Sequence, residues 1–187
     1  MKVKAFLLFL AVVFVSTGHA ESTERPEDVI KKVFGADMVS AKVFNLTSRQ
    51  VAFVKANLDG AEAIVKKTCK IYFAYKGKKT VGAAMVDNEP DKWGDNSVVV
   101  CIDPFTFRIK RVDTIFETTD KYKIRVRKNR GFLNQFSGRK LDEKIHLGEE
   151  INAVSGATIT SRADTLSTKK IMLLYRLIAA SWSKKKR

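Results

Sequence analysis

Four shortages narrow the reading before any motif is considered. The chain has two cysteines in 187 residues, Cys69 and Cys101, and neither Cys-x-x-Cys nor Cys-x-x-Cys-His occurs. A dithiol redox motif and a c-type haem on this chain are therefore excluded. Histidine is as scarce: His146 is the only one beyond residue 20, it stands in a polar loop, and no metal site is assigned. The one long apolar run, Ala5–Val15, is eleven residues, well short of the roughly 20 that a membrane-spanning helix needs. Acid is the fourth shortage, with 20 Asp and Glu against 35 Lys and Arg, a formal charge of +15.

The apolar run follows Lys2 and Lys4 and precedes Gly18-His19-Ala20, a small-x-small pattern. Residues 1–20 read as a secretory signal cleaved near Ala20, which makes the mature chain exported, periplasmic or extracellular. No cysteine lies near the junction, so lipid anchoring there is not supported. Residues 1–20 contain no acid, and losing Lys2 and Lys4 leaves +13. Such a balance favours anionic partners: lipid headgroups, a phosphorylated cofactor or an acidic protein. Nucleic acid is disfavoured by export and by the lack of any zinc-finger, basic-zipper or RNA-recognition signature.

The mature chain suits one domain with a real core. Pro26–Phe34 reads as a short helix, with Pro in its first turn and Gly35 after it. Thr47-Ser48-Arg49-Gln50 is a capping box that opens a second helix running to about Leu58, before Gly60. The period then changes to that of strands. Thr68–Tyr75 and Lys79–Val86 flank Gly77 as a hairpin, Ser97–Ile102 and Phe107–Phe116 follow around Asp103-Pro104, and Lys121–Lys128 alternates basic with apolar residues. Ile171, Leu174, Ile178 and Trp182 recur at helical spacing and mark a closing helix. The expectation is an α+β domain with N-terminal helices, an antiparallel sheet of about five strands and a closing C-terminal helix. Residues 21–60 form a helical lead-in, 61–183 the α+β domain, and 184–187 a basic tail. Cys69 and Cys101 sit in apolar, β-rich runs. A disulfide and two buried thiols both suit such a setting.

Ahead of the closing helix stands "INAVSGATITSRAD", Ile151–Asp164. Ser161 with Asp164 could be an N-cap with an approximate capping box, and Gly156 an ordinary turn glycine. The same small, hydroxyl-bearing residues also suit an anion. The free N–H groups of a first helical turn and the positive end of the macrodipole attract phosphate. Thr158 is a weak nucleophile with no His, Cys or Lys within three positions, so it suits a substrate for modification better than a catalyst.

"FETTDKYKIRVRKNRGFLNQFSGRK" followed by "INAVSGATITSRAD" resembles the FMN-binding domain family, which includes flavin-carrying components of the sodium-pumping NADH:quinone oxidoreductase and of the Rnf electron-transport complex. The matching residues are Glu117, Phe132, Gln135, Phe136 and Gly138, then Ser155, Gly156, Ala157, Thr158, Thr160 and Ser161. "VFGAD" and "LTSRQ" look like the lead-in of exported members, so the resemblance spans nearly all of the mature chain. Asn152 stands where the family has Asp, and the Gly that usually follows the strand Glu is missing from "ETTDKY".

The resemblance implies FMN carried covalently through a phosphoester to Thr158, installed from FAD by a separate Mg-dependent flavin transferase. Phe132 and Phe136 would pack along the flavin ring, with Gln135 near its polar edge. It further implies an electron-transfer carrier or oxidoreductase subunit, rather than an independent enzyme. Its partners would be the transferase and redox proteins such as a membrane electron-transport complex or a cytochrome. The competing reading is a cofactor-free basic module for anionic membrane or polyanions, motivated by Asn152 and the charge. Peripheral membrane association is compatible with either.

Overall fold

The computed structural model describes residues 24–58, 64–90, 94–117 and 131–185. Helix α1 (Pro26–Phe34) and helix α2 (Ser48–Ala56) flank strand β1 (Met38–Asn45); strands β2 (Thr68–Lys76), β3 (Lys79–Asn88), β4 (Asn96–Asp103) and β5 (Arg108–Glu117) follow. A 3-10 helix (Phe132–Phe136) and the long helix α3 (Thr158–Lys185) complete the chain. Both expected stop and start signals operate. Gly35 adopts φ +58° after α1. At α2, Gln50 N–H donates to Thr47 Oγ1 at 3.2 Å while Thr47 N–H donates to Gln50 Oε1 at 2.8 Å, a full capping box.

The five strands form an antiparallel meander in the order β1-β2-β3-β4-β5. The expected α+β architecture is therefore observed, with one rearrangement. The region expected as a helical lead-in also supplies β1. Six of its eight residues are exposed, so backbone pairing with β2 rather than an apolar face holds it, and a strand of that kind leaves no period-two pattern to read. The expected strand Lys121–Lys128 and its cationic face lie outside the described residues.

Both faces of the sheet are covered. Ile71, Met85, Val98, Val100 and Ile102 face α3 and the 3-10 helix; Tyr72, Ala74, Ala84 and Val99 face α1. Gly82 lies under Phe34 of α1, where even one added Cβ would overlap the ring. The alternation decides the cysteine question. Cys69 on β2 packs toward the α3 side and Cys101 on β4 toward the α1 side, with β3 between their strands, so both are free thiols rather than a disulfide. Burial pushes the Cys69 thiol up to about 11 and the Cys101 thiol up to about 12.

Candidate functional site

Helix α3 begins at Thr158, earlier than a cap at Ser161 would place it. Ala157 N–H donates to the Val154 carbonyl at 2.9 Å, and Ser161 N–H donates to the Ala157 carbonyl at 2.9 Å as the helix starts. Ser161 lies inside the first turn and its hydroxyl donates back to the Ala157 carbonyl at 2.9 Å. Asp164 is buried and accepts from Asn96 Nδ2 at 2.7 Å, so it ties α3 to the start of β4 instead of capping.

This turn sorts the hydroxyls by direction. Thr160 and Ser161 are 1% and 0% exposed, whereas Ser155 and Thr158 face solvent. Ala157 is buried in the core, so its small side chain serves packing rather than clearance for a ligand. Gly156 has φ +84° with open space where a Cβ would stand, and its requirement is conformational. In an α-helix the first N–H groups have no intrahelical acceptor. Thr158 thus combines an accessible Oγ1 with the electropositive end of a 28-residue helix.

What holds this turn in place is the segment before it. Gln135 makes a two-bond clamp on the backbone of Asn152: its Oε1 accepts from Asn152 N–H at 2.9 Å and its Nε2 donates to the Asn152 carbonyl at 3.1 Å. Arg139 adds donations to the Gln135 carbonyl at 2.9 Å and the Glu150 carbonyl at 2.6 Å. Gln135 is therefore a positioning residue, and both ends of its amide are engaged within the protein. Because Asn152 contributes backbone, the Asp-to-Asn departure leaves the clamp intact.

Phe132 and Phe136 are each 0% exposed and meet edge to face at 5.6 Å. They hold the 3-10 helix to the core and have no surface to offer a ring, which corrects the expected stacking role. The side chain of Glu117 lies outside the described residues; its backbone pairs with Asn96, at the sheet end that Asn96 joins to α3.

A cleft of about 400 Å³ starts one helical turn beyond Thr158, lined by Ile145, His146, Leu147, Arg162 and Lys169 among others. Arg162 is four residues from Thr158, on the same helical face. That spacing was readable in the sequence; the opposite wall, Ile145–Leu147, was not. His146, Glu149 and Glu150 have ligand atoms within 4.8 Å of one another. However, His146 Nδ1 lies 3.2 Å from Glu150 Oε2 and its Nε2 lies 3.4 Å from Lys169 Nζ, so both ring nitrogens already have partners in a polar network.

Such a fold and turn define an α+β domain able to carry an anionic group on the first turn of its closing helix. The FMN-binding domain family model matches residues 66–172, more than half of the chain, and the protein belongs to that family. Its fold is similar to the crystal structure of Shewanella oneidensis NqrC, with 16% identity, 80% of this chain and 88% of that one covered, and a TM-score of 0.51. No curated protein sequence matches the chain. The donor set fits the family's cofactor: an exposed hydroxyl and helix N-terminus for the phosphate, and a cationic, partly apolar cleft alongside for a planar ring.

Proposed function

We propose that the protein is an exported electron-transfer flavoprotein that carries FMN through a phosphoester to Thr158 and passes electrons between protein redox partners. The observation that carries this reading is the sorting of the hydroxyls: Thr158 is exposed at the first residue of α3, while Thr160 and Ser161 are buried. Membership of the FMN-binding domain family supports the cofactor.

Each residue has a separate task. Thr158 Oγ1 provides the attachment atom. In a transfer from FAD, that oxygen would be the atom esterified by the flavin-side phosphate, with AMP as the leaving group and the hydroxyl proton passing to a base of the transferase. The N–H groups of the first turn and the Arg162 guanidinium offset the phosphate charge. Gly156 makes the turn, and Gln135 and Arg139 hold it against the core. The cleft beside Arg162 is the proposed seat of the ring, with Ile145 and Leu147 as apolar walls. Bound FMN supplies one- and two-electron chemistry; the chain supplies attachment, orientation and charge. A tether suits a compartment in which free flavin is diluted away.

The test is co-expression with an Mg-dependent, FAD-using flavin transferase, read by flavin fluorescence in denaturing gels and peptide mass mapping. Thr158→Ala abolishes covalent flavin while retaining a folded spectrum; Thr160→Ala retains most of it. Covalent flavin on Thr158→Ala would overturn the site. A wild type that stays colourless beside an active transferase would favour the cofactor-free basic module.

A further inference from the structure

In a meander the β2–β3 and β4–β5 turns emerge at the same end of the sheet. Here both tips are chemically unusual. The first, Lys76-Gly77-Lys78-Lys79, is exposed throughout. The second carries Phe105, 74% exposed, and Phe107, 41% exposed with its backbone at φ +54°. A left-handed backbone at a bulky aromatic residue is uncommon and strained. Two carboxylates at this end, Asp37 and Asp103, are engaged with the turns themselves. Asp37 accepts from Gly77 N–H at 2.9 Å, and Asp103 accepts from Phe105 N–H at 2.8 Å and Thr106 N–H at 3.2 Å.

Behind the tips lies a groove of about 650 Å³ to which Thr80, Phe105, Phe107, Tyr175 and Trp182 contribute. Tyr175 packs edge-on against both Phe107 and Trp182, each at 6.2 Å between ring centres. The chain after Trp182 reads Ser-Lys-Lys-Lys-Arg. Among the described residues no helix is long and apolar enough to cross a membrane.

We propose that this end of the sheet docks on the surface of an anionic bilayer, with Phe105 inserted among the lipids and Lys76, Lys78 and Lys79 on the headgroups. An exposed aromatic ring flanked by lysines is the arrangement that an interface rewards, since rings sit at headgroup level and ammonium groups remain hydrated. Two protruding tips favour a bilayer over a protein partner, because a standard protein interface takes roughly 800 Å² from each side as a broad patch. The inference is independent of flavin attachment.

The experiment is flotation of the mature chain, residues 21–187, with phosphatidylcholine vesicles with and without phosphatidylglycerol. The protein floats with the anionic vesicles, and binding declines as salt rises. Lys78→Gln with Lys79→Gln lowers the partition coefficient about tenfold or more, at roughly 1 kcal/mol per cation; Phe105→Ser also lowers it about tenfold. Lys66→Gln with Lys67→Gln removes the same charge from exposed positions at the opposite sheet end and leaves binding within about twofold, by the short reach of screened charge. Equal losses for the two lysine pairs would reduce the effect to net charge and overturn the surface. Retention on an acidic polypeptide without flotation would overturn the bilayer in favour of a protein.

Discussion

Lys170 is the residue whose setting departs furthest from the rule that charge stays wet. It is 2% exposed, with its Nζ at 2.8 Å from Asp87 Oδ2, at 2.9 Å from the Ile64 carbonyl, and in contact with Glu89. Ser167 donates to Asp87 at 2.9 Å, so Asp87 is tied to α3 by a second route. Removing one partner of a buried ion pair leaves the others uncompensated, and Lys170→Met should cost about 3–5 kcal/mol. Burial pushes the Glu89 carboxyl above its ordinary range, against the pull of Lys170. Loss of the cation raises it further, so the folded variant binds more protons than the wild type at intermediate pH. A carboxyl raised in the fold loses stability as pH climbs through its folded pKa. The gap between variant and wild type should therefore be smallest near pH 4 and widen toward pH 7, measured by urea unfolding at both. An equal gap at the two values would mean that Glu89 is not the group responsible.

At the scale of elements, the first turn of α3 depends on a helix of another type twenty-odd residues upstream. The Phe132–Phe136 3-10 helix brings two buried rings to the core, and Gln135 between them reaches Asn152 with both amide atoms. Gln135→Ala removes two hydrogen bonds to backbone, worth about 1–3 kcal/mol together, and loosens the turn that presents Thr158. Under the proposed attachment at Thr158, flavin incorporation by a co-expressed transferase should slow several-fold while its final extent stays near that of wild type, in a time course of gel fluorescence alongside thermal unfolding. Unchanged incorporation with the expected loss of stability would restrict Gln135 to a structural role. The aromatic residues and the Gln of "FLNQF" were visible in sequence, but the family resemblance set them beside the flavin ring, and the clamp of Gln135 on Asn152 came only with the fold. Their direction was not, because a 3-10 helix of five residues offers too few positions for its buried face to show as a period.

Over the whole molecule, α3 separates two ends with different chemistry. Thr158 and Trp182 are 24 steps apart along one helix, about 36 Å at 1.5 Å per residue. A domain seated on a bilayer by its Phe105 end would thus hold the Thr158 turn, the proposed flavin site, out in the aqueous phase. A fluorophore on Ser155→Cys should escape a nitroxide quencher placed at the lipid headgroup, while one on Lys78→Cys should be quenched. Selective labelling is expected because the native thiols are raised to about 11 and about 12 by burial, which leaves little reactive thiolate. Wild-type protein should take up almost no label when folded and two per chain in denaturant. Quenching of both positions to the same degree would exclude the proposed orientation.

Family resemblance singled out "SGAT"; local sequence alone determined the helix limits at Gly35 and Thr47 and the two hairpins around Gly77 and Asp103-Pro104. These limits and hairpins rest on backbone preference and capping, which act within a few residues. Tertiary structure decided the rest. Strand β1 exists because β2 pairs with it, Cys69 and Cys101 remain apart because alternate residues of a sheet point to opposite faces, and Thr158 rather than Thr160 faces solvent because of where the helix starts. The Lys170 cluster joins residues 81 and 106 positions apart, and the two chemically distinct turns become one surface through the order of the strands. Contacts across such separations depend on the register and packing of whole elements, which no local period in the chain records.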